Sequence, residues 1–228
     1  MTSRIALSPL MSAMAVLATT TVAAPAAADT GVYLQNFESG NAGAAWSGAG
    51  AVQGAGVLPG FGAQHLYNGG NQASVLTLLD LPAHTALTIT FDLAIWDSVD
   101  ANPGGFPYGD TFELAVDNTL VISTLFGNYG GPGGQSTGPG IELVPNNANY
   151  GYGGWVDSAR QVTVTLAHTA SSAGFAFQFP NTQGGADEAF GLDNVMVSVS
   201  AVPEPGPAAL LAVGLAAIGW ARRRQQPG

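Results

Sequence analysis

The sequence predicts an all-β protein, a β-sandwich or jelly roll, and three observations carry that reading. Apolar residues through the middle of the chain alternate with polar ones instead of recurring every three to four positions. Glycine and proline, 32 and 14 residues, punctuate the chain at the short intervals that turns between short strands require. No stretch of this region carries the apolar stripe of an amphipathic helix.

The elements follow in order. Strands are expected over 32–37, at 65–67 and over 73–79. The clearest is the run with Leu87, Ile89, Phe91, Leu93 and Ile95 on one face and Thr88, Thr90, Asp92, Ala94 and Trp96 on the other, a core face and a wet face. Residues 111–125 read as a hairpin, because Asp117-Asn118 divides two alternating runs. The same period marks Val162-Val164-Leu166, Phe175-Phe177-Phe179 and Val195-Val197-Val199. Two long connections are left, 97–109 and 127–159, the second rich in Gly, Pro and Asn. There is no internal repeat.

Both ends of the chain read as addresses and not as fold. Arg4, an Ala-rich apolar region from Leu10 to Val22, and the small residues Ala26 and Ala28 form a secretory signal peptide over 1–28, cut after Ala28. The other end, 201–228, holds Val202, Pro203, Glu204 and Pro205, then an apolar helix over 208–221, then Arg222, Arg223 and Arg224. The prolines keep the motif extended and accessible, the apolar run suits a bilayer, and the arginines hold its end on the cytoplasmic side. The run is shorter than the roughly 18 to 20 residues of a stable span, which suits a transient stop. This arrangement resembles the PEP-CTERM sorting signal. The resemblance implies recognition by an exosortase-like membrane transpeptidase, passing attachment to the inner membrane, and delivery to the cell surface or extracellular matrix.

Between the addresses, 29–200 is one domain large enough for a real core. The whole chain has no cysteine, so this exported domain has no disulfide and relies on packing or on a metal. Its one basic side chain is Arg160, in a chain of net charge −10. Nucleic acid is excluded as a partner, because phosphate binding needs lysine and arginine. Acidic polysaccharide would be repelled too, unless divalent cations bridge the surfaces, which makes calcium the cation to expect.

The ends of the domain carry a second pattern, Asn36-Phe37-Glu38 with Trp46 near the start and Phe190-Gly191-Leu192-Asp193-Asn194-Val195 near the finish. This pattern resembles the galactose-binding-like jelly-roll carbohydrate-binding modules. The resemblance implies adjacent first and last strands and a structural Ca2+ held by Glu38 and Asp193, with backbone carbonyls completing the shell. For a sugar ligand, Trp96 and Asp92 on the wet face and Tyr108 and Trp155 in the long loops supply candidate stacking and polar groups.

Catalytic signals are poor. Gly134-Gln135-Ser136-Thr137-Gly138 matches a nucleophile elbow in letters only, since no strand and helix flank it. His65, His84 and His168 have no paired spacing for zinc. Asp187 and Glu188 are neighbours that point to opposite faces of a strand and cannot act together as a glycosidase pair. The expected function is a non-catalytic, calcium-stabilised module binding carbohydrate or matrix polymer, with no catalytic residue. A structural matrix protein without a discrete ligand and a secreted glycoside-acting enzyme are the alternatives.

Overall fold

A computed structural model describes residues 29–54, 58–99, 110–128, 138–185 and 187–201, together with Leu211, 214–218 and Trp220. The chain divides into two compact units, Ala27–Val202 and a second made of Met1–Ala26 with Pro203–Gly228.

The first unit is a sandwich of two antiparallel sheets. Twelve strands occur among its described residues: β1 Asp29–Gln35, β2 Trp46–Gly48, β3 Ala51–Gln53, β4 His65–Asn68, β5 Ser74–Leu78, β6 His84–Asp97, β7 Thr111–Val116, β8 Thr119–Leu125, β9 Ile141–Ala148, β10 Asp157–Ala167, β11 Ala173–Gln178 and β12 Glu188–Ala201. The seven-stranded sheet runs β3-β4-β12-β6-β10-β9 with β1 added beside β12, and the five-stranded sheet runs β2-β5-β11-β7-β8. The alternation does what it promised. Leu87, Ile89, Phe91, Leu93 and Ile95 are fully buried and face Phe112, Leu114, Phe175 and Phe177 of the opposite sheet. Edge-to-face ring pairs such as Phe91–Phe177, with centroids 5.2 Å apart, fix the stacking of the sheets. The Asp117-Asn118 turn has both residues at positive φ, 49° and 63°, the mirror-image turn that suits the right-handed twist of a hairpin.

Three expectations need correcting. The first strand ends at Gln35 and not at 37, because Phe37 turns to φ 56° to bury its ring. The 127–159 connection contains β9, an edge strand; Pro145 within it can make no ladder donation, and an edge is where a strand tolerates that. The wet face of β6 is wet only over its first half. Thr88 and Thr90 are partly exposed, whereas Asp92, Ala94 and Trp96 are buried, the last two within a second apolar cluster with Leu58, Phe61, Val144, Ala159 and Ala189.

Gly191 of β12 forms the floor of that second cluster. A methyl group there would lie 2.7 Å from His65 Cδ2 and 2.9 Å from Trp96 Nε1, so both rings rest on bare backbone. Gly191→Ala is expected to destabilise the full-length chain by about 1–3 kcal/mol, the usual cost of overpacking a filled core. Denaturant unfolding checks this, and a midpoint equal to the wild type's would contradict the close packing.

Candidate functional site

The ends of the sandwich meet at one junction. β1 runs antiparallel along β12, with Gln35 opposite Val195, and leads straight into Asn36-Phe37-Glu38. On β12 the pairing with β6 slips between Asp193 and Met196, and Asn194 takes φ 47° to make the bulge. The loop entering β4 crosses this point and is strapped to both acids. Gly62 N–H donates to Asp193 Oδ2 at 3.0 Å, and Gln64 N–H donates to Glu38 Oε1 at 3.2 Å. A Cβ on Gly62 would fall 1.6 Å from Glu38 Oε1, so the carboxylate lies directly over bare backbone. Asp193 also accepts from Asn194 N–H at 2.7 Å. Its cross-strand partner is Asp92, which accepts from Asn194 Nδ2 at 2.8 Å and Gln161 Nε2 at 3.1 Å.

The two residues named as calcium ligands are therefore brought together, and a third carboxylate lies beside them. Burial pushes the Asp193 carboxyl above the usual range; the two N–H donors oppose this, and the charges of Asp92 and Glu38 add to it. Among the described residues no three His, Asp or Glu side chains converge as a ready-made metal cage. Any cation here would draw on Glu38, Asp193 and neighbouring carbonyls.

The residues expected to bind sugar fare differently. Trp96 is 1% exposed, between His65 and Tyr152 at centroid distances of 5.4 and 5.5 Å, and is core and not an open platform. Asp92 is also buried, engaged in the junction. Trp96 is covered because the segments carrying Leu58, Phe61, Tyr150 and Tyr152 fold over that end of the face. Tyr108 lies outside the described residues. Trp155 is 43% exposed in the turn before β10.

A residue the sequence reading passed over, Tyr67, lines a cleft near this cover. Its hydroxyl donates to Gly185 O at 2.8 Å and meets the Tyr152 hydroxyl, which bonds the same carbonyl. Burial, then the contact with Tyr67, pushes the Tyr152 hydroxyl well above the ordinary phenol range. The cleft has a volume of about 700 Å³ and is lined by Tyr67, Asn68, Asn71, Gln72 and glycines including Gly50 and Gly185, with no Asp, Glu, His, Lys or Arg. Asn68 shapes its rim, its Nδ2 donating to Gln72 O at 2.9 Å and its Oδ1 accepting from Gly70 N–H at 2.9 Å. A Cβ on Gly69 would lie 2.5 Å from Gly185 Cα, so the two backbones touch where side chains would close the cleft. Tyr67 alternates with the core residue Leu66 and the buried Asn68, a pattern that predicts a strand but not which outward ring borders a cleft.

The chain's last residues decide its class of address. Val202-Pro203-Glu204-Pro205, the apolar run and the three arginines all fall within 201–225, which matches the family described as the PEP-CTERM protein-sorting motif. Residues 201–225 are a PEP-CTERM sorting motif. The PEP-CTERM motif marks an exported protein sorted to the cell envelope or surface. Of this tail Leu211, 214–218 and Trp220 are described and helical, and no helix among the described residues is long and apolar enough to cross a membrane. Ala26 and Ala28, expected at a signal-peptide cleavage site, the 202–205 motif and Arg222 to Arg224 lie outside the described residues.

No curated protein matches the chain. Solved structures with a similar strand arrangement include a CBM22 xylan-binding domain from Paenibacillus barcinonensis, at 14% identity and TM-score 0.43, covering 78% of this chain and 99% of that one. A cleaved adhesin domain of Lys-gingipain from Porphyromonas gingivalis gives 13% and 0.44, covering 75% and 99%. A family 35 carbohydrate-binding module from Clostridium thermocellum gives 10% and 0.40, covering 74% and 99%. None of these likenesses assigns a ligand or a site to this PEP-CTERM chain.

At the β6–β12 end of the unit, Asp97, Asp110, Asp157 and Glu188 are all buried. Asp157 accepts from Asp97 N–H at 3.0 Å and Tyr150 N–H at 2.7 Å, and Asp97 accepts from Gly154 N–H at 2.9 Å. Glu188 accepts from the main-chain and side-chain nitrogens of Gln183, at 2.6 and 3.0 Å. These carboxylates are committed to holding loops. Burial, only partly offset by main-chain donors from Asp97, Tyr150 and Tyr152, pushes Asp157 up to about 6. Because its folded value exceeds the ordinary carboxylate value, its contribution is complete below about pH 4 and is lost as pH rises through about 6, by at most about 3 kcal/mol. His65 works in the opposite sense, since burial lowers it to about 4 and costs stability as pH falls. The clean readout is a difference between proteins. From pH 4 to pH 7 the melting temperature of the wild type should fall relative to that of Asp157→Asn, and parallel curves would contradict the assignment.

Proposed function

We propose that this PEP-CTERM protein is processed by an exosortase-like membrane transpeptidase, after passing attachment to the inner membrane, and that its sandwich is a non-catalytic module binding neutral polysaccharide at the cell surface or in the extracellular matrix. The observation that carries the binding reading is the cleft beside Tyr67. It offers an aromatic wall, amide side chains at Asn71 and Gln72, and open main chain at four glycines, with no charge of either sign. A sugar chain needs an apolar face for its CH groups and neutral donors and acceptors for its hydroxyls, and this cleft has both. Its volume, about 700 Å³, lies in the range of small-molecule sites and accommodates a short stretch of glycan. Trp155, exposed three residues after Tyr152, is available to extend the contact.

Calcium belongs to the same reading. Glu38 and Asp193, with Asp92 next to them, concentrate acid where the chain's ends close, and hard oxygen donors of this kind suit Ca2+. The cradle left by Gly62 holds Glu38 in position for it. A cation there would offset the mutual repulsion of the acids and tie β1, β12 and the strap loop together. Its role is structural, so glycan binding depends on it only through the fold.

The test is retention of the full-length chain, in a mild detergent, on immobilised neutral glycans. Wild type is expected to be retained. Asn71→Ala with Gln72→Ala, both exposed, should weaken binding about tenfold, or about 1.4 kcal/mol, at an unchanged melting temperature, and Tyr67→Ala should weaken it further. Absence of retention on every neutral glycan would overturn the reading in favour of a structural matrix protein. Release of shortened glycan products would overturn it in favour of an enzyme.

A further inference from the structure

His84, His168 and Asp117 are far apart in sequence and form one hydrogen-bonded line. His84 Nδ1 contacts Pro82 O at 2.6 Å, His84 Nε2 contacts His168 Nδ1 at 2.7 Å, and His168 Nε2 contacts Asp117 Oδ2 at 2.9 Å. The two rings are nearly coplanar, 12° apart with centroids 5.0 Å apart, so they meet end to end and not face to face. The line crosses the sandwich. His84 opens β6 and His168 follows β10 in the seven-stranded sheet, whereas Asp117 is the turn of the β7–β8 hairpin in the five-stranded sheet. Asp117 is held in place by Gly174 N–H, which donates to its Oδ1 at 2.8 Å. His84 is 3% exposed and the His168 side chain 7%, whereas Asp117 at the outer end of the line is 45% exposed.

The protons in this line can be counted. A carbonyl oxygen only accepts, so His84 Nδ1 carries hydrogen and, in a neutral ring, leaves Nε2 bare. His168 Nδ1 must then donate to it. Facing a carboxylate, His168 Nε2 must carry a hydrogen as well, or Asp117 must. Three contacts need three protons, and two neutral imidazoles with a carboxylate hold two. We propose that His84, His168 and Asp117 form a proton-operated clamp between the two sheets, complete only when it holds one proton beyond two neutral imidazoles and a carboxylate. When that proton leaves, a lone pair faces a lone pair at 2.7 Å or a carboxylate at 2.9 Å, and one contact must open.

The surroundings supply little competing charge. The 79–83 connection brings Asp80, exposed; the 169–172 connection has no titratable residue; and the neighbouring end of β12 offers Ser200. The folded line has room for one extra proton, whereas in the unfolded chain each imidazole can take one of its own. For a chain sorted to the cell envelope or surface, the clamp ties one contact between the sheets to the proton held in this line.

The experiment is NMR of the histidine ring nitrogens in full-length chain labelled at histidine, followed from pH 5 to pH 8. The expected result is His84 with hydrogen on Nδ1 and His168 doubly protonated at acid pH, both rings changing in one common step. Asp117→Asn keeps the shape and removes the charge, and should move that step about 1 pH unit or more lower. His168→Gln should remove the step from His84. His65, held neutral by burial down to about 4, stays silent over this range. Two independent ring titrations that Asp117→Asn leaves unmoved would overturn the clamp.

Discussion

Strand β12 is the constraint on which the rest of the unit depends. One of its edges pairs with β6 along most of both strands; the other is shared, with β4 taking Phe190 to Leu192 and β1 taking Val195 to Ser200. Two strands can share an edge only if the chain shifts between them, and the Asp193-Asn194 bulge is that shift. Because the bulge carries an acid opposite Asp92, the same step that lets the sheet close also gathers negative charge at its centre. Like charges across a strand pair are destabilising unless something intervenes. Asn194 and Gln161 intervene on Asp92, and main-chain donors intervene on Asp193.

Much of this was legible in the amino-acid order, and the exceptions have physical causes. A strand's two-residue period shows which side chains share a face, so Leu87 to Ile95 identify the core without ambiguity. Period says nothing about what lies over the opposite face. Trp96 shares that face with Thr88 and Thr90, yet it lies under the folded-over segments and the threonines do not. That difference depends on where Leu58, Phe61 and Tyr152 come to rest, which is a tertiary fact. For the same reason Glu38 and Asp193 could be paired through a resemblance, whereas the meeting of His84 with His168 had no local signal. The short strands β2 and β3 and the edge strand β9 left too few alternating residues to register.

The site chemistry and the address are consistent with each other. A domain with no disulfide and one basic side chain cannot draw stability from covalent staples or from many ion pairs. It closes by packing phenylalanines between sheets and by anchoring loops on buried carboxylates. The cleft beside Tyr67 has no charged lining residue on a chain that is acidic as a whole.

The most direct measurement of this account is the melting temperature of the full-length chain in excess EDTA and again in millimolar calcium, for wild type and for Asp193→Asn. A cation that binds only the folded state raises stability by mass action. The account predicts a rise with calcium in the wild type that Asp193→Asn abolishes, while the same substitution raises or preserves stability in EDTA by removing a buried charge. Equal melting temperatures with and without calcium in the wild type would contradict it.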